Sequence, residues 1–362
     1  MPRSDDFKAR EAVLARVESW RRRAPKLTDE TITMAHGAGG RASRSLIEAV
    51  IRPAFTNPAL DGLEDAAVIQ VDAGRMAFTT DAFVVTPRRF QGGSIGDLAV
   101  NGTVNDLAAV GAEPVALSVS LVLEEGFAVD ELRAIVGDVS TAAAAADVNV
   151  VTGDTKVVER GAADGCYITT TGIGFVRPHT SLGASQVRPG DAVVLSGTVG
   201  DHGVAVMVAR GDLALAADVA SDTAPLHTLA KTLLEAVPET RWLRDPTRGG
   251  VASACNELAA DCGLGVELDE QAIPVKSAVA GACELLGLDP LYIANEGKML
   301  AVVPADATSR AVQAMQSCAA GAEACVIGSI TDAHKGLVLV RTGFGGTRIV
   351  DMLVGDPLPR IC

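Results

Sequence analysis

Aromatic side chains are scarce: Phe, Tyr and Trp together make up 3% of the 362 residues. A chain of this length can bury a large core and is long enough for two domains, so that core must be built from Ala, Val, Leu and Ile. Positive charge is also short. The formal net charge of −14 excludes a surface for nucleic acid or for an anionic membrane. An acidic protein can still hold phosphates, through backbone amides and a divalent metal that offset the repulsion. No apolar run reaches the 18 residues of a membrane-spanning helix, and the charged first 30 residues lack the apolar stretch of a secretory signal. These absences predict a soluble, cytoplasmic protein with no membrane partner. Hydrophobic residues at 48% against 21% charged exclude wholesale disorder.

Cysteine patterning is equally sparse. The seven cysteines, at 166, 255, 262, 283, 318, 325 and 362, include no CxxC pair, which argues against a zinc knuckle or a full disulfide framework. Cys255 and Cys262 stand seven apart in a helical pattern and read as small buried thiols. Cys362 ends the chain in "DPLPRIC". There is no G-x-x-x-x-G-K-[ST] and no G-x-G-x-x-G, so neither a P-loop nor a dinucleotide fold is indicated.

What the chain does have is alternation of strand and helix patterns on both sides of a polar, Pro- and Gly-rich stretch, "RPHTSLGASQVRPGD". Ahead of it come "HGAGGRASRSLIEAV" (a Gly-rich turn into a helix), a hairpin turning at Asp72–Arg75, and the helix "SIGDLAVNGTVNDLAAVG", opened by a Ser94/Asp97 capping box and stopped at Gly111. A strand in "PVALSVSLVL", a helix from about Asp130 to Ala146, the strand and loop "VNVVTGDTKVV" and the strand "CYITTTGIGFV" follow. The second half repeats the theme, with the loop "RDPTRGG" opening a helix to Cys262, a helix to Leu286 and strands in "NEGKMLAVVP", "ACVIGSI" and "GLVLVRT". The expected organisation is α+β, with a helical extension over 1–30, domains over 31–180 and 181–348, and a tail over 349–362.

Four aspartates of the first half fall at expected strand ends or turns: Asp65, Asp81, Asp106 and Asp154. Singly these are ordinary caps and turn residues. Converging, they are the hard oxygen ligands that Mg²⁺ needs when it also holds nucleotide phosphates. Asn101 and Asn105 share a helix face beside Asp106. Arg244 and Arg248 flank a second glycine-rich helix start, and Glu296 and Lys298 sit in the loop "NEGK".

Taken together, "HGAGG", "EDAAVI", "TTDAFVVTP", "GGSIGDLAVNGTVNDLAAVGA", "VTGDTKVVERGAADG", "GTVGDHG", "RDPTRGGVA", "ANEGK" and the terminal "PLPRIC" resemble the HypE family of hydrogenase maturation factors, members of the PurM-like ATP-binding superfamily. The aspartates and "GDT" are common to the superfamily, whereas the terminal "PRIC" marks HypE. The resemblance implies a PurM-like two-domain fold whose N-terminal half forms a homodimer with ATP near the interface. It implies that a HypF-like carbamoyltransferase loads the thiol of Cys362, that ATP-dependent dehydration turns the thiocarboxamide into a thiocyanate, and that a HypC–HypD complex accepts the cyanide for the [NiFe]-hydrogenase iron. Carried onto this chain, it implies Mg²⁺ on Asp65, Asp81, Asp106 and Asp154, and nucleotide contacts from these with Gly39, Gly40, Asn105, Gly153 and Thr155. Lys156 and Glu296 are the candidates for charge stabilisation and for removal of the amide proton, in either assignment, and His36 is a candidate contact to phosphate or tail.

Two other readings compete. A small-molecule phosphotransferase of the same superfamily, such as a selenophosphate synthetase, carries a reactive Cys or Sec near the N-terminal Gly-rich segment, and no Cys precedes residue 166 here. A non-catalytic scaffold presenting Cys362 would not need the intact "NDLAAVG" and "GDTK" segments.

Overall fold

The computed structural model describes residues 35, 40–51, 65–72, 74–211 and 218–353. The helical extension expected over 1–30, His36, Gly39 and Cys362 lie outside these residues. The first described helix, α1 (Arg41–Leu46), runs into a wider π turn, Ile47–Ile51.

The N-terminal sheet has the order β1-β2-β7-β5-β6, built from β1 (Ala67–Val71), β2 (Gly74–Phe83), β5 (Ala112–Glu124), β6 (Asn149–Val158) and β7 (Cys166–Val176). A two-residue ladder, β3 (Arg89–Phe90) with β4 (Gly93–Ser94), precedes α2 (Ile95–Ala109), and α3 (Val129–Ala145) carries the chain from β5 to its parallel neighbour β6. The expected hairpin is present, with Ala67 opposite Phe78. Ser94 caps α2 by accepting the N–H groups of Gly96 and Asp97, and Gly111 leaves the helix at φ +71, a conformation that favours glycine.

The α2 segment is buried on all sides except at Asp97 and Asp106, which is how a helix wedged between two layers reads. One flank packs on the N-terminal sheet and α3, with Val100 and Val104 against Leu117 and Val139. Its opening residues Ile95, Leu98 and Ala99 join a core cluster with α4 (Asp201–Arg210) and α7 (Ser277–Leu286) of the other half. Helices α2 and α3 lie on one face of this sheet. The opposite face leaves Phe78, Phe175 and Ile69 exposed at 45%, 41% and 38%.

The second sheet has the order β14-β13-β10-β12-β8-β11-β9, from β8 (Ala192–Leu195), β9 (Trp242–Arg244), β10 (Gly265–Asp269), β11 (Leu300–Val303), β12 (Cys325–Thr331), β13 (Val338–Arg341) and β14 (Thr347–Val350). Helices cover both faces: α6 (Gly250–Cys262) packs on Val193 and Leu195, while α5 (His227–Ala236) and α8 (Thr308–Gln316) pack on Val194 and Ala301. That explains why β8 and β11 are apolar without alternation. The described residues thus form an α+β protein built on two large sheets.

Two expectations need correction. Asp81 and Asp154 lie inside β2 and β6 rather than at strand ends, and Asp106 lies in the last turn of α2. Ile349 and Val350 belong to β14, paired with Leu339 and Val338, so the sheet claims the first two residues assigned to the tail. Beyond them Asp351 and Leu353 are also held. The hydroxyl of Tyr292 donates to the Asp351 carbonyl at 2.8 Å, and the Arg41 N–H donates to the Leu353 carbonyl at 3.2 Å.

Candidate active site

Where α2 meets the second sheet, three carboxylates converge from three elements. Asp65 stands just before β1, Asp106 projects from α2, and Asp245 follows β9; one oxygen of each lies within 4.8 Å of the others. Asp245 is buried. Thr79, two residues before Asp81 and on the same face of β2, places its hydroxyl 2.8 Å from Asp106 Oδ2 and 3.1 Å from the Asp65 carbonyl oxygen. Two arginines of the "RDPTRGG" segment border the group. Arg244 ion-pairs with Asp65 and lies 3.7 Å from Glu257, and Arg248 lies 3.6 Å from Asp81.

Like charges this close cannot all ionise at ordinary pH. Burial and the Asp65 charge push Asp245 up to about 8, against the pull of Arg244. Burial, then repulsion from Asp245, Asp65 and Asp81, holds Asp106 well above the usual carboxylate range. Burial raises Asp81 as well, opposed by Arg248 and by the Ala82 N–H. Glu296, 2% exposed, belongs to the same electrostatic group. Burial, then the charges of Asp245, Asp81 and Asp222, lifts it well above its normal value, and Arg248 pulls it down.

The donor set fits Mg²⁺. It is all carboxylate oxygen, and its span is close to the roughly 4 Å between two oxygens on opposite sides of an ion with 2.0–2.1 Å bonds. A divalent charge also removes the repulsion that otherwise protonates the group. The residues that come together are Asp65, Asp106 and Asp245, with Asp81 beside them.

Asp154 does not join them within the chain. Asp154 pairs across the sheet with Ser120, Ser120 with Thr169, and Thr169 with Ala82, which makes three strand spacings, about 14 Å. Asp154 and Lys156 also share the open face of the sheet, whereas Asp81, one residue off that row, faces α2. Both are exposed and bind each other, Lys156 Nζ to Asp154 Oδ2 at 2.9 Å. The Lys156 hydrogen bond and the Thr155 N–H lower the Asp154 carboxyl. Gly153 has a packing reason of its own: a Cβ there would overlap the Val119 carbonyl oxygen of β5.

Asn105 is also differently employed than expected. Its amide donates to the carbonyls of Ala224 and Glu296 at 3.1 and 3.3 Å, and its oxygen accepts the Leu226 N–H at 2.8 Å. It therefore clamps α2 to the second half of the chain. Gly40 is needed where the end of the chain passes, since a Cβ there would sit 2.8 Å from the Leu353 carbonyl oxygen. Among the other cysteines, Cys166, Cys255 and Cys283 are buried, and burial pushes Cys255 up to about 12 and Cys283 up to about 11, so neither is a ready nucleophile. Sequence reasoning missed Asp245 and Thr79. Asp245 stood in a segment quoted for its arginines and glycines, and an aspartate in a loop ahead of a glycine-rich helix start was the available signal.

Known proteins resemble the chain over most of its length. The profile described as AIR synthase related protein, N-terminal domain, matches residues 63–176, and that of the C-terminal domain matches residues 188–341. The chain is 51% identical over 339 residues to the carbamoyl dehydratase HypE of Rhodobacter capsulatus, covering 93% of this chain and 99% of that one. A HypE from a HypE–HypF complex superposes with a TM-score of 0.81 at 43% identity, over 85% of this chain and 100% of its own. A HypE solved in complex with ATP gives a TM-score of 0.77 at 43% identity, over 92% and 100%. The chain belongs to the HypE family of carbamoyl dehydratases, on the two-domain fold of the AIR synthase related proteins.

Proposed function

We propose that the chain uses ATP to dehydrate the carbamoylated thiol of its own Cys362 to a thiocyanate. The observation that carries the reading is a buried acid, Glu296, facing a cluster of carboxylates suited to a phosphate-bound divalent cation. Asp65, Asp81, Asp106 and Asp245 would hold Mg²⁺, which when bound supplies charge neutralisation for the phosphates. An amide oxygen is a poor leaving group, so it first attacks the γ-phosphorus of ATP, displacing ADP and releasing one N–H proton to solvent to give an imidate phosphate. Glu296 then takes the remaining N–H proton as the C–O bond breaks, releasing phosphate and leaving S–C≡N. Burial and neighbouring carboxylates raise the proton affinity of Glu296, and a bound divalent cation would offset their charge and leave a carboxylate to accept the proton. Arg248, beside Asp81, is placed to balance charge as phosphate forms.

Lys156 enters from a second copy. The open face of the N-terminal sheet, with its exposed Phe78 and Phe175, would pack against the same face of a partner as a homodimer. Docking there would carry Asp154 and Lys156 toward the partner's nucleotide, with Thr155 on the other side of the same edge strand. The two domains are then 31–180 and, with β14 included, 181–350, with 1–30 as an extension and the tail as the carrier of Cys362. No described helix is long and apolar enough to cross a membrane, and the proposed compartment is the cytoplasm. A HypF-like carbamoyltransferase would load Cys362 and a HypC–HypD complex would take the cyanide.

Intact mass tests the whole reading. Carbamoylated protein given ATP and Mg²⁺ should lose one water, about 18 Da, from the Cys362 peptide, and should not lose it without ATP. A carbamoyl group that stays through ATP hydrolysis would sink it.

A further inference from the structure

Between α4 and α5 the chain crosses the domain junction as an irregular strap, residues 218–226. It is fastened at many points. Gln91 donates to Asp218 at 2.8 Å, and its carbonyl accepts the Ser221 N–H at 2.7 Å. His202 Nδ1 and the Ser221 hydroxyl are 2.8 Å apart, Asn101 donates to Thr223 at 3.1 Å, and Asn105 holds Ala224 and Leu226.

At the middle of the strap Asp222 wraps around the Glu296–Lys298 loop. Its Oδ1 accepts the Glu296 N–H at 3.1 Å, and its Oδ2 lies 3.2 Å from Lys298 Nζ. Gly297 lies so close beneath that a Cβ would overlap the Asp222 carbonyl oxygen. The Glu296 carbonyl accepts from Ala224 N–H at 3.4 Å and from Asn105 at 3.3 Å. The side chains of Asp222 and Lys298 are 3% and 12% exposed. A buried ion pair of this kind contributes little net stability, because desolvation offsets the attraction, and its best-attested use is to fix one arrangement. An amide or hydroxyl would have sufficed to receive one N–H.

We propose that Asp222 is a positioning residue for the dehydration, holding the loop through the Glu296 N–H and Lys298 so that the Glu296 carboxylate faces the reacting amide. The proposal rests on the reading of Glu296 as the proton acceptor. Asp222 acts through that residue, by way of its backbone N–H.

The test uses full-length protein carbamoylated by a HypF-like transferase, with single-turnover loss of water followed by mass. Asp222→Ala should accept the carbamoyl group normally and keep its KM for ATP, yet lose about 10²-fold in dehydration rate, as expected for a small misplacement of a reacting group. Asp222→Asn keeps an acceptor for the N–H but strands Lys298, and adding Lys298→Met should recover part of its loss. The decisive arm places Asp222→Ala in a Glu296→Gln background, where it should cost nothing further in rate. A wild-type rate in Asp222→Ala, or a full additional loss in the Glu296→Gln background, overturns the proposal. If Glu296→Gln alone runs at the wild-type rate, the assignment of Glu296 is what fails, and the role of Asp222 falls with it.

Discussion

Asp245 and Asp154 carry the same side chain in opposite circumstances. Asp245 is buried among other carboxylates and is pushed up to about 8, while Asp154 is exposed on an edge strand and held down by Lys156. The buried carboxylate is crowded by like charge and calls for a cation. The exposed one is locally satisfied and calls for nothing until another surface arrives. One half of the chemistry is thus assembled by folding and the other, as proposed, by association.

The largest effect should follow from breaking the buried side. Asp245→Asn or Asp81→Asn should abolish ATP turnover, measured by phosphate release, in a folded protein. Asp245 also sets a pH dependence in EDTA. Its folded value of about 8 exceeds its unfolded value near 3.8, so the folded state binds more protons and stability falls as pH rises across that window. In Asp245→Asn that slope, read from unfolding temperatures between pH 4 and pH 8, should flatten. An unchanged slope would mean that the carboxylates are not in mutual repulsion.

Next in size is Glu296→Gln, which should accept the carbamoyl group and bind ATP but stall at the heavier mass, with the water lost about 10²–10⁴-fold more slowly. Loss of water at the wild-type rate would move the search to Arg244 and Arg248.

A smaller effect tests the exposed side. Lys156→Ala should slow dehydration by about 10²-fold, as for loss of one charge-stabilising donor. If Lys156 acts across a dimer, mixing Lys156→Ala with Glu296→Gln subunits creates one intact site per mixed dimer, and activity should return to about a quarter of wild type. If both residues act within one chain, every site in the mixture lacks one of them and no activity returns.

Much of this was legible in sequence, for local reasons. The α6 and α7 ends at Cys262 and Leu286 were readable because Gly263 and Gly287 follow in the left-handed region. The strand over 166–176 was readable because its burial alternates. What escaped depends on partners far away in the chain. The α5 helix has the right apolar spacing at Leu229, Ala230, Leu233 and Leu234 but no side-chain cap of its own; the Leu226 N–H at its start is satisfied by Asn105. The four residues of β14 are too few to show a period, and they are a strand because β13 pairs with them. Asp65, Asp81 and Asp106 were found through motifs, yet Asp245 joins them only through packing of one domain on the other. Asp154 was grouped with them because sequence has no way to show on which face of a sheet a side chain lies relative to a residue three strands away.

The smallest effect separates the two carboxylates by stability alone. Asp154 and Lys156 form an exposed pair, and such pairs contribute little to folding because water and salt screen them. Asp154→Asn should therefore leave the unfolding temperature within about 2 °C of wild type, at low salt and at high salt alike. Asp245→Asn in EDTA at pH 8 should instead raise it, since one of several buried charges in mutual repulsion is removed. Calorimetry of the two variants side by side gives the comparison directly. A large fall for Asp154→Asn would show that the pair is structural, and its exposed place on β6 would then need another explanation than association.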